Sequence, residues 1–242
     1  MSFPEYTAAC PAGVYQKKFS MTGLSGQVRP GDLAREMEKI TEEHLGILGL
    51  SRDKLKAEGK IWVIAWTQIH ISRLPALGEQ VILRIWPGRM KAMMQVRKYG
   101  FYTAHGDLLA CASSLFVMMD ANTRGFAAPS KILKYLPVVE IPGEPDLPPM
   151  RLEFPAELGE TRQRTVAAEE IDLNGHMNNT HYLDWMNGLL EDNRMPKSIW
   201  VQYIKELMEG QEVALHYKMQ DGTLYVRGVA GGFDSFLLVA EF

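Results

Sequence analysis

The densest polar stretch of the chain is Asp172-Leu173-Asn174-Gly175-His176-Met177-Asn178-Asn179. Asp172, Asn174 and His176 alternate along it. In an extended segment that spacing puts a carboxylate, an amide and an imidazole on one face. Those groups suffice for a base, an oxyanion donor and a proton shuttle. Asn178 or Asn179 is suited to cap a following helix, whose first amides and dipole would favour a developing oxyanion. The same Asp and Asn residues also suit an ordinary turn, where they satisfy backbone amides. A fourth group, Glu206, falls in the strand-like run Ile199–Leu207 and shares parity with Trp200, Gln202 and Ile204. Glutamate is disfavoured inside strands, and a carboxylate among apolar neighbours is a candidate general base.

Other chemistry is poorly supplied. The chain has no GxSxG elbow, GxGxxG loop, Walker loop or HExxH pair. Cys10 and Cys111 have no histidine beside them in sequence, and Cys111 sits in an apolar strand. His176 and His181 lack a matching cysteine or carboxylate set at metal spacing, so neither a metal nor another cofactor is expected. His44, His70, His105 and His216 read as structural or solvated. Met90, Met93, Met94, Met118 and Met119 are adaptable apolar fillers, suited to a core or to a flexible tunnel.

The elements that must position these groups follow from hydrophobic period. Val14–Thr22 reads as a short strand. Gly31–Gly49 reads as a helix, with Leu33, Met37, Ile40, His44, Ile47 and Leu48 at helical spacing and Gly49 as its stop. Ile61–Ile71, Glu79–Trp86, Met93–Thr103 and Leu108–Met119 are strand-like and separated by turn signals. Further on the order recurs. A strand lies in Gly159–Ile171, a helix in Asn179–Leu190, and strands in Ile199–Glu206, Glu212–Met219, Thr223–Val229 and Ser235–Phe242. Asp221-Gly222 marks a hairpin.

This recurrence indicates an internal duplication. Gly78-Glu79-Gln80-Val81-Ile82-Leu83 echoes Gly210-Gln211-Glu212-Val213-Ala214-Leu215. Between the copies, residues 136–150 hold five of the 13 prolines, which makes a stiff, extended linker. The expected division is 1–136, a linker at 137–150, and 151–242. A long helix between the first two strands of each antiparallel sheet argues for α+β, with each sheet wrapped around its helix. Aligning the copies places Arg73 opposite Glu206, and Leu24–Arg29 opposite Asp172–Met177. That first loop has no Asp and no His. A scaffold requirement should recur in both copies, whereas a catalytic set need not.

Composition bounds the rest. The 242 residues are 46% hydrophobic and 23% charged with a net charge of −3, as in ordinary globular chains. Nothing in that balance asks for nucleic acid. No apolar run approaches the roughly 20 residues of a membrane span, and Met1–Glu5 does not read as the start of a signal peptide. Residues 1–150 carry 18 Lys and Arg against 14 Asp and Glu, and residues 151–242 carry 8 against 15. Arg84, Arg89, Lys91, Arg97 and Lys98 form a candidate basic patch for steering an acidic partner.

The string DLNGHMNNTHYLDW (172–185), followed by YIKEL (203–207), resembles the acyl-acyl carrier protein thioesterases. The resemblance spans nearly the whole chain. It implies a tandem hot-dog fold, with the first domain holding the acyl tail and the second carrying catalysis. It implies hydrolysis of the thioester between a fatty acyl chain and the phosphopantetheine arm of acyl carrier protein, which terminates fatty acid synthesis. It assigns Asp172, Asn174, His176 and Glu206 as the catalytic residues. Plant members carry a cysteine after the glutamate, and here Leu207 stands in that place, so a thiol nucleophile is excluded there. Plant members also carry a transit segment and this chain shows none, which suggests a bacterial, cytoplasmic enzyme. Since the tandem pair imitates a dimer of single domains, both a monomer and a homodimer are compatible with it. Two other readings are a non-catalytic acyl-binding module and a hot-dog acyl-CoA thioesterase or hydratase. Hot-dog hydratases usually place an Asn-Pro between the Asp and the His, one residue further apart. Here Gly175 replaces the proline.

Overall fold

The computed structural model describes residues 13–24, 26–90, 94–128, 138–139, 151–190 and 194–242. The first half contributes β1 (Tyr15–Ser20), α1 (Pro30–Ile47), α2 (Arg52–Ala57), β2 (Lys60–Ile71), β3 (Gln80–Pro87), β4 (Met94–Thr103) and β5 (Leu108–Asp120). The second contributes β6 (Glu160–Thr165), a 3-10 turn (Ala168–Glu170), α3 (His181–Asn187), β7 (Ser198–Tyr203), β8 (Glu212–Gln220), β9 (Thr223–Ala230) and β10 (Phe233–Glu241). The expected linker, 137–150, lies outside the described residues apart from 138–139, and so does Cys10.

All ten strands join one antiparallel sheet in the order β1-β3-β4-β5-β2-β7-β10-β9-β8-β6. Read inward from either edge, the two halves have the same order. They meet at the β2–β7 seam, where five residue pairs run from Trp66↔Gln202 to His70↔Ser198. The duplication read from element order is therefore present in topology. The edge strand β6 is exposed throughout and carries Glu160, Arg162 and Arg164, charges that discourage pairing with another sheet. At the β8–β9 hairpin, Asp221 (φ 49°) and Gly222 (φ 77°) are both left-handed, as a type I′ turn requires.

Helices α1 and α3 both pack on one face of this sheet. Proline suits the first turn of α1, where a backbone donor is not needed, and Asp32 Oδ2 accepts the Arg29 amide at 2.8 Å. Leu33, Met37 and Ile40 of α1 share a core cluster with Tyr182, Leu183, Trp185 and Met186 of α3. Sheet residues of both halves, including Ile69, Leu83, Phe101, Ile199, Val226 and Leu238, complete it. Arg35 clamps the helices, donating to Asp184 at 2.9 Å and Asp32 at 2.8 Å. Burial raises the Asp184 carboxyl, but hydrogen bonds from His181 and Arg35 outweigh it and hold the group below the ordinary carboxylate range.

Four expectations change. First, α2 has no counterpart in the pattern because it is six residues long and buries only Leu55, too little to show a periodic stripe. Second, the helix expected over 179–190 spans only His181–Asn187. Third, the strand expected to reach Glu206 stops at Tyr203, because the amides of Ile204 and Lys205 both donate to the Ser235 carbonyl, at 2.9 and 3.0 Å. The β9–β10 ladder shifts register at the same place, between Asp234 and Phe236. Fourth, the basic patch does not form. Arg97 is 1% and Lys98 6% exposed, since β4 is an interior strand covered on both faces. Lys91 lies outside the described residues. Arg97 instead donates to Nδ1 of the buried His44 at 3.2 Å. Burial, then the Arg97 charge, push His44 down to about 3, so it is neutral at physiological pH.

Two outcomes follow from this packing. A Cβ on Gly228 would sit 2.0 Å from the Phe236 ring. Gly228→Ala is expected to cost about 1–3 kcal/mol in urea unfolding, whereas Gly159→Ala, with open space around it, should stay within about 0.5 kcal/mol. His44 binds its proton less readily folded than unfolded, so the unfolded chain takes up the extra proton as pH falls from about 6.5 to about 3. Stability should decline over that window, and His44→Gln should flatten the decline in paired urea titrations at pH 7 and 4.5.

Candidate active site

The polar stretch is a closed turn rather than an extended segment. Asp172 uses its side chain to organise it: Oδ1 accepts the Asn174 amide at 2.7 Å and Oδ2 the Asn174 side-chain amide at 2.9 Å. The backbone then reverses, with Gly175 N donating to Asp172 O and Asp172 N to His176 O, at 3.0 and 2.9 Å. Gly175 at φ 85° supplies the left-handed step that few other residues accept. The alternation argument therefore fails as geometry, because Asp and Asn satisfy nearby amides more readily than they stay extended. The groups still converge. His176 folds back over Asp172, with Nδ1 3.7 Å from Oδ1.

Glu206 arrives from the other side. Having left the ladder after Tyr203, the chain is pinned where the Met177 amide donates to Leu207 O at 2.7 Å. That bond sets the Glu206 loop beside the turn. Glu206 Oε1 lies 3.4 Å from His176 Nε2. The imidazole thus stands between two carboxylates, one facing each ring nitrogen. Side-chain exposures of 18% for Asp172, 21% for His176 and 37% for Glu206 leave the row open to water chiefly on the Glu206 side. Both spacings exceed those of settled hydrogen bonds, and catalytic contacts commonly tighten only with substrate bound.

The start of α3 is less available than expected. Thr180 N donates to Asn178 Oδ1 at 2.8 Å, His181 N to Asn178 O at 3.1 Å, and Leu183 N to Thr180 O at 3.1 Å. Asn178 instead closes a turn ahead of the helix, whose N-cap is Thr180 with no side-chain cap bond. The expected asparagine cap is therefore not the one used, while the amides of Thr180 and His181 are spent on Asn178. The exposed Asn174 keeps a second side-chain N–H beyond the one given to Asp172.

Two residues from the first half reach this site, and neither was singled out from sequence. Glu38 of α1 accepts both contacts of the Asn178 amide, at 3.0 and 2.8 Å. Burial raises the Glu38 carboxyl above its usual range despite that bond, with the charges of Glu42 and Asp172 adding to the effect. Arg124, in the turn after β5, donates to Glu206 Oε2. Glu38 and Arg124 are ordinary charged residues of a helix and a turn, and no local spacing marks them. Arg73, opposite Glu206 in the repeat, forms a two-pronged pair with Glu79 at 2.8 Å on each prong and holds a turn. Cys111 lies on β5 and is not a member of the row. A groove on the sheet face away from the helices, lined by Leu152, Phe154, His216, Arg227 and Asp234, shares no residue with the row.

The acyl-ACP thioesterase N-terminal domain matches residues 12–133, and the C-terminal domain of the same family matches residues 155–227. The chain is 26% identical over 193 residues to the chloroplastic palmitoyl-acyl carrier protein thioesterase of Cuphea hookeriana, over 72% of this chain and 46% of that one. With the oleoyl-acyl carrier protein thioesterase of Coriandrum sativum it shares 25% over 234 residues, covering 85% and 59%. The chain thus spans about half the length of the curated relatives it matches. Its fold superposes on an acyl-ACP thioesterase from Bacteroides thetaiotaomicron with a TM-score of 0.83 at 19% identity, covering 95% and 97% of the two chains. The 12:0-ACP thioesterase of Umbellularia californica gives 0.81 at 17% identity, with 94% and 96% covered. These two likenesses identify the double hot-dog fold. With both family domains matched in order across most of its length, the chain belongs to the acyl-ACP thioesterase family.

Proposed function

We propose that this chain hydrolyses fatty acyl-acyl carrier protein, releasing free fatty acid and the carrier's phosphopantetheine thiol. The observation that carries the reading is the His176 imidazole held between Asp172 and Glu206, in a chain of this family. In this reading 1–136 takes the acyl tail, 137–150 links, and 151–242 performs the chemistry.

The geometry favours distinct roles for the two carboxylates. Asp172 is already engaged by both amides of Asn174, which suits it to orient the imidazole. Glu206 is the more open to solvent and is the group we assign to the attacking water. Glu206 takes a proton from that water as its oxygen bonds to the thioester carbonyl carbon. The remaining N–H of Asn174 donates to the oxyanion. Collapse breaks the C–S bond, and the proton returns through His176 to the leaving thiolate. Water supplies every atom that the products gain. Leu207, 1% exposed, offers no nucleophile. We place the enzyme in the cytoplasm, a reading that the low cysteine content, two in 242 residues, supports. Among the described residues no helix is long and apolar enough to cross a membrane.

The first test is release of fatty acid from medium- to long-chain acyl-carrier thioesters. Glu206→Gln and Asp172→Asn should each lower kcat by about 10²–10⁴-fold with unfolding midpoints near wild type. Asn174→Ala should lower it by about 10²–10³-fold. Wild type that binds acyl-carrier thioester yet releases no acid at any chain length would make this an acyl-binding module instead. Single turnover in oxygen-18 water separates two routes. Label in the released acid alone is expected, whereas label in an enzyme carboxylate would mean that Asp172 or Glu206 attacks first and forms an anhydride.

A further inference from the structure

The row Asp172–His176–Glu206 ends on a residue of the other half. Arg124 Nη2 donates to Glu206 Oε2, while Oε1 of the same carboxylate faces His176 Nε2 at 3.4 Å. One oxygen is held and the other faces the imidazole.

The turn that presents Arg124 is heavily built. Asp120 Oδ1 accepts the amides of Asn122 and Thr123 at 2.9 and 2.8 Å, and the Thr123 hydroxyl at 3.1 Å. Arg124 N donates to Asp120 O and Asp120 N to Gly125 O, at 3.0 and 2.9 Å. Ala121 N ties the turn to Gly59 O at 2.8 Å. These bonds hold Arg124 at φ 58°, a left-handed conformation that a residue with a Cβ adopts at a cost of about 1–2 kcal/mol. Such conformations persist where surrounding bonds over-determine them, and they cluster at functional sites. The backbone around Glu206 is tied through Ile204, Lys205 and Leu207, whereas its side chain is 37% exposed and reaches Arg124 and His176.

We propose that Arg124 is a positioning residue for hydrolysis. It fixes the Glu206 carboxylate so that Oε1 stays on His176 and on the attacking water. The first half therefore contributes to the reacting centre as well as to the acyl tail. This inference rests on the reading of Glu206 as the base. Both partners are too exposed, at 44% and 37%, for the pair to add much stability, so its value lies in geometry.

The test measures kcat and KM on an acyl-carrier thioester and on the matching acyl-pantetheine thioester. It compares wild type, Arg124→Gln, Arg124→Lys, Asp120→Ala, Glu206→Gln, and the Arg124→Gln/Glu206→Gln double variant. Arg124→Gln is expected to lower kcat about 10- to 100-fold on both substrates with KM nearly unchanged. Arg124→Lys should recover part of that loss, because a point charge still holds one oxygen. Asp120→Ala, which releases the turn without touching Glu206, should lose kcat in the same way. The double variant should be no slower than Glu206→Gln alone. If Glu206→Gln abolishes turnover while Arg124→Gln leaves kcat intact, the proposal fails and the thioesterase reading stands. A rise in KM confined to the acyl-carrier substrate would make Arg124 a carrier contact and overturn the proposal. Full activity in Glu206→Gln would overturn the role of Glu206, and that of Arg124 with it.

Discussion

The β2–β7 seam is the constraint on which the rest of the molecule depends. Antiparallel pairing from Trp66↔Gln202 to His70↔Ser198 makes the start of β2 and the exit of β7 share one end of the sheet. The start of β2 pairs in turn with the end of β5, through Lys60↔Asp120. The turn after β5 and the loop after β7 are thereby brought to the same edge, although 82 residues separate Arg124 from Glu206. One ladder of backbone hydrogen bonds thus merges two sheets and brings Arg124 of one half to Glu206 of the other.

The two halves share a topology and differ in chemistry. At the position equivalent to Glu206, Arg73 only ties a turn through Glu79. In the second half, the doubled acceptor at Ser235 ends β7 early and throws Glu206 out of the ladder. The first half pays a different kind of attention to polarity: it buries Arg97 against a neutral His44 under α1 and sends Glu38 across to Asn178. Its helix is thus a structural partner of the second copy's turn, and the Arg35–Asp184 pair fixes the relation between α1 and α3.

The secondary structure was largely legible, because strands with one buried face and a helix with an apolar stripe write their period into the chain. Where elements were short or ended for tertiary reasons, the pattern overshot. Six polar-rich residues make α2 without a stripe. The strand through Glu206 had apolar alternation to its end but lost its partner to a bulge in β10. The charged residues of β4 looked solvated because parity cannot show that both faces of an interior strand are covered.

For the site, residue type and spacing alone determined that Asp172, Asn174, His176 and Glu206 were the groups to watch, since such a polar cluster appears in one copy of the repeat and not the other. The sequence also determined that no thiol could act beside Glu206, because Leu207 stands there. Tertiary structure alone decided how those groups meet. Asp172 and Gly175 close a turn that local spacing read as extended, and the bond from Met177 to Leu207 brings Glu206 to the far side of His176. Only the fold could bring in Glu38 and Arg124, because their roles depend on strand pairing and helix packing between residues far apart in the chain, and local sequence carries no trace of such contacts.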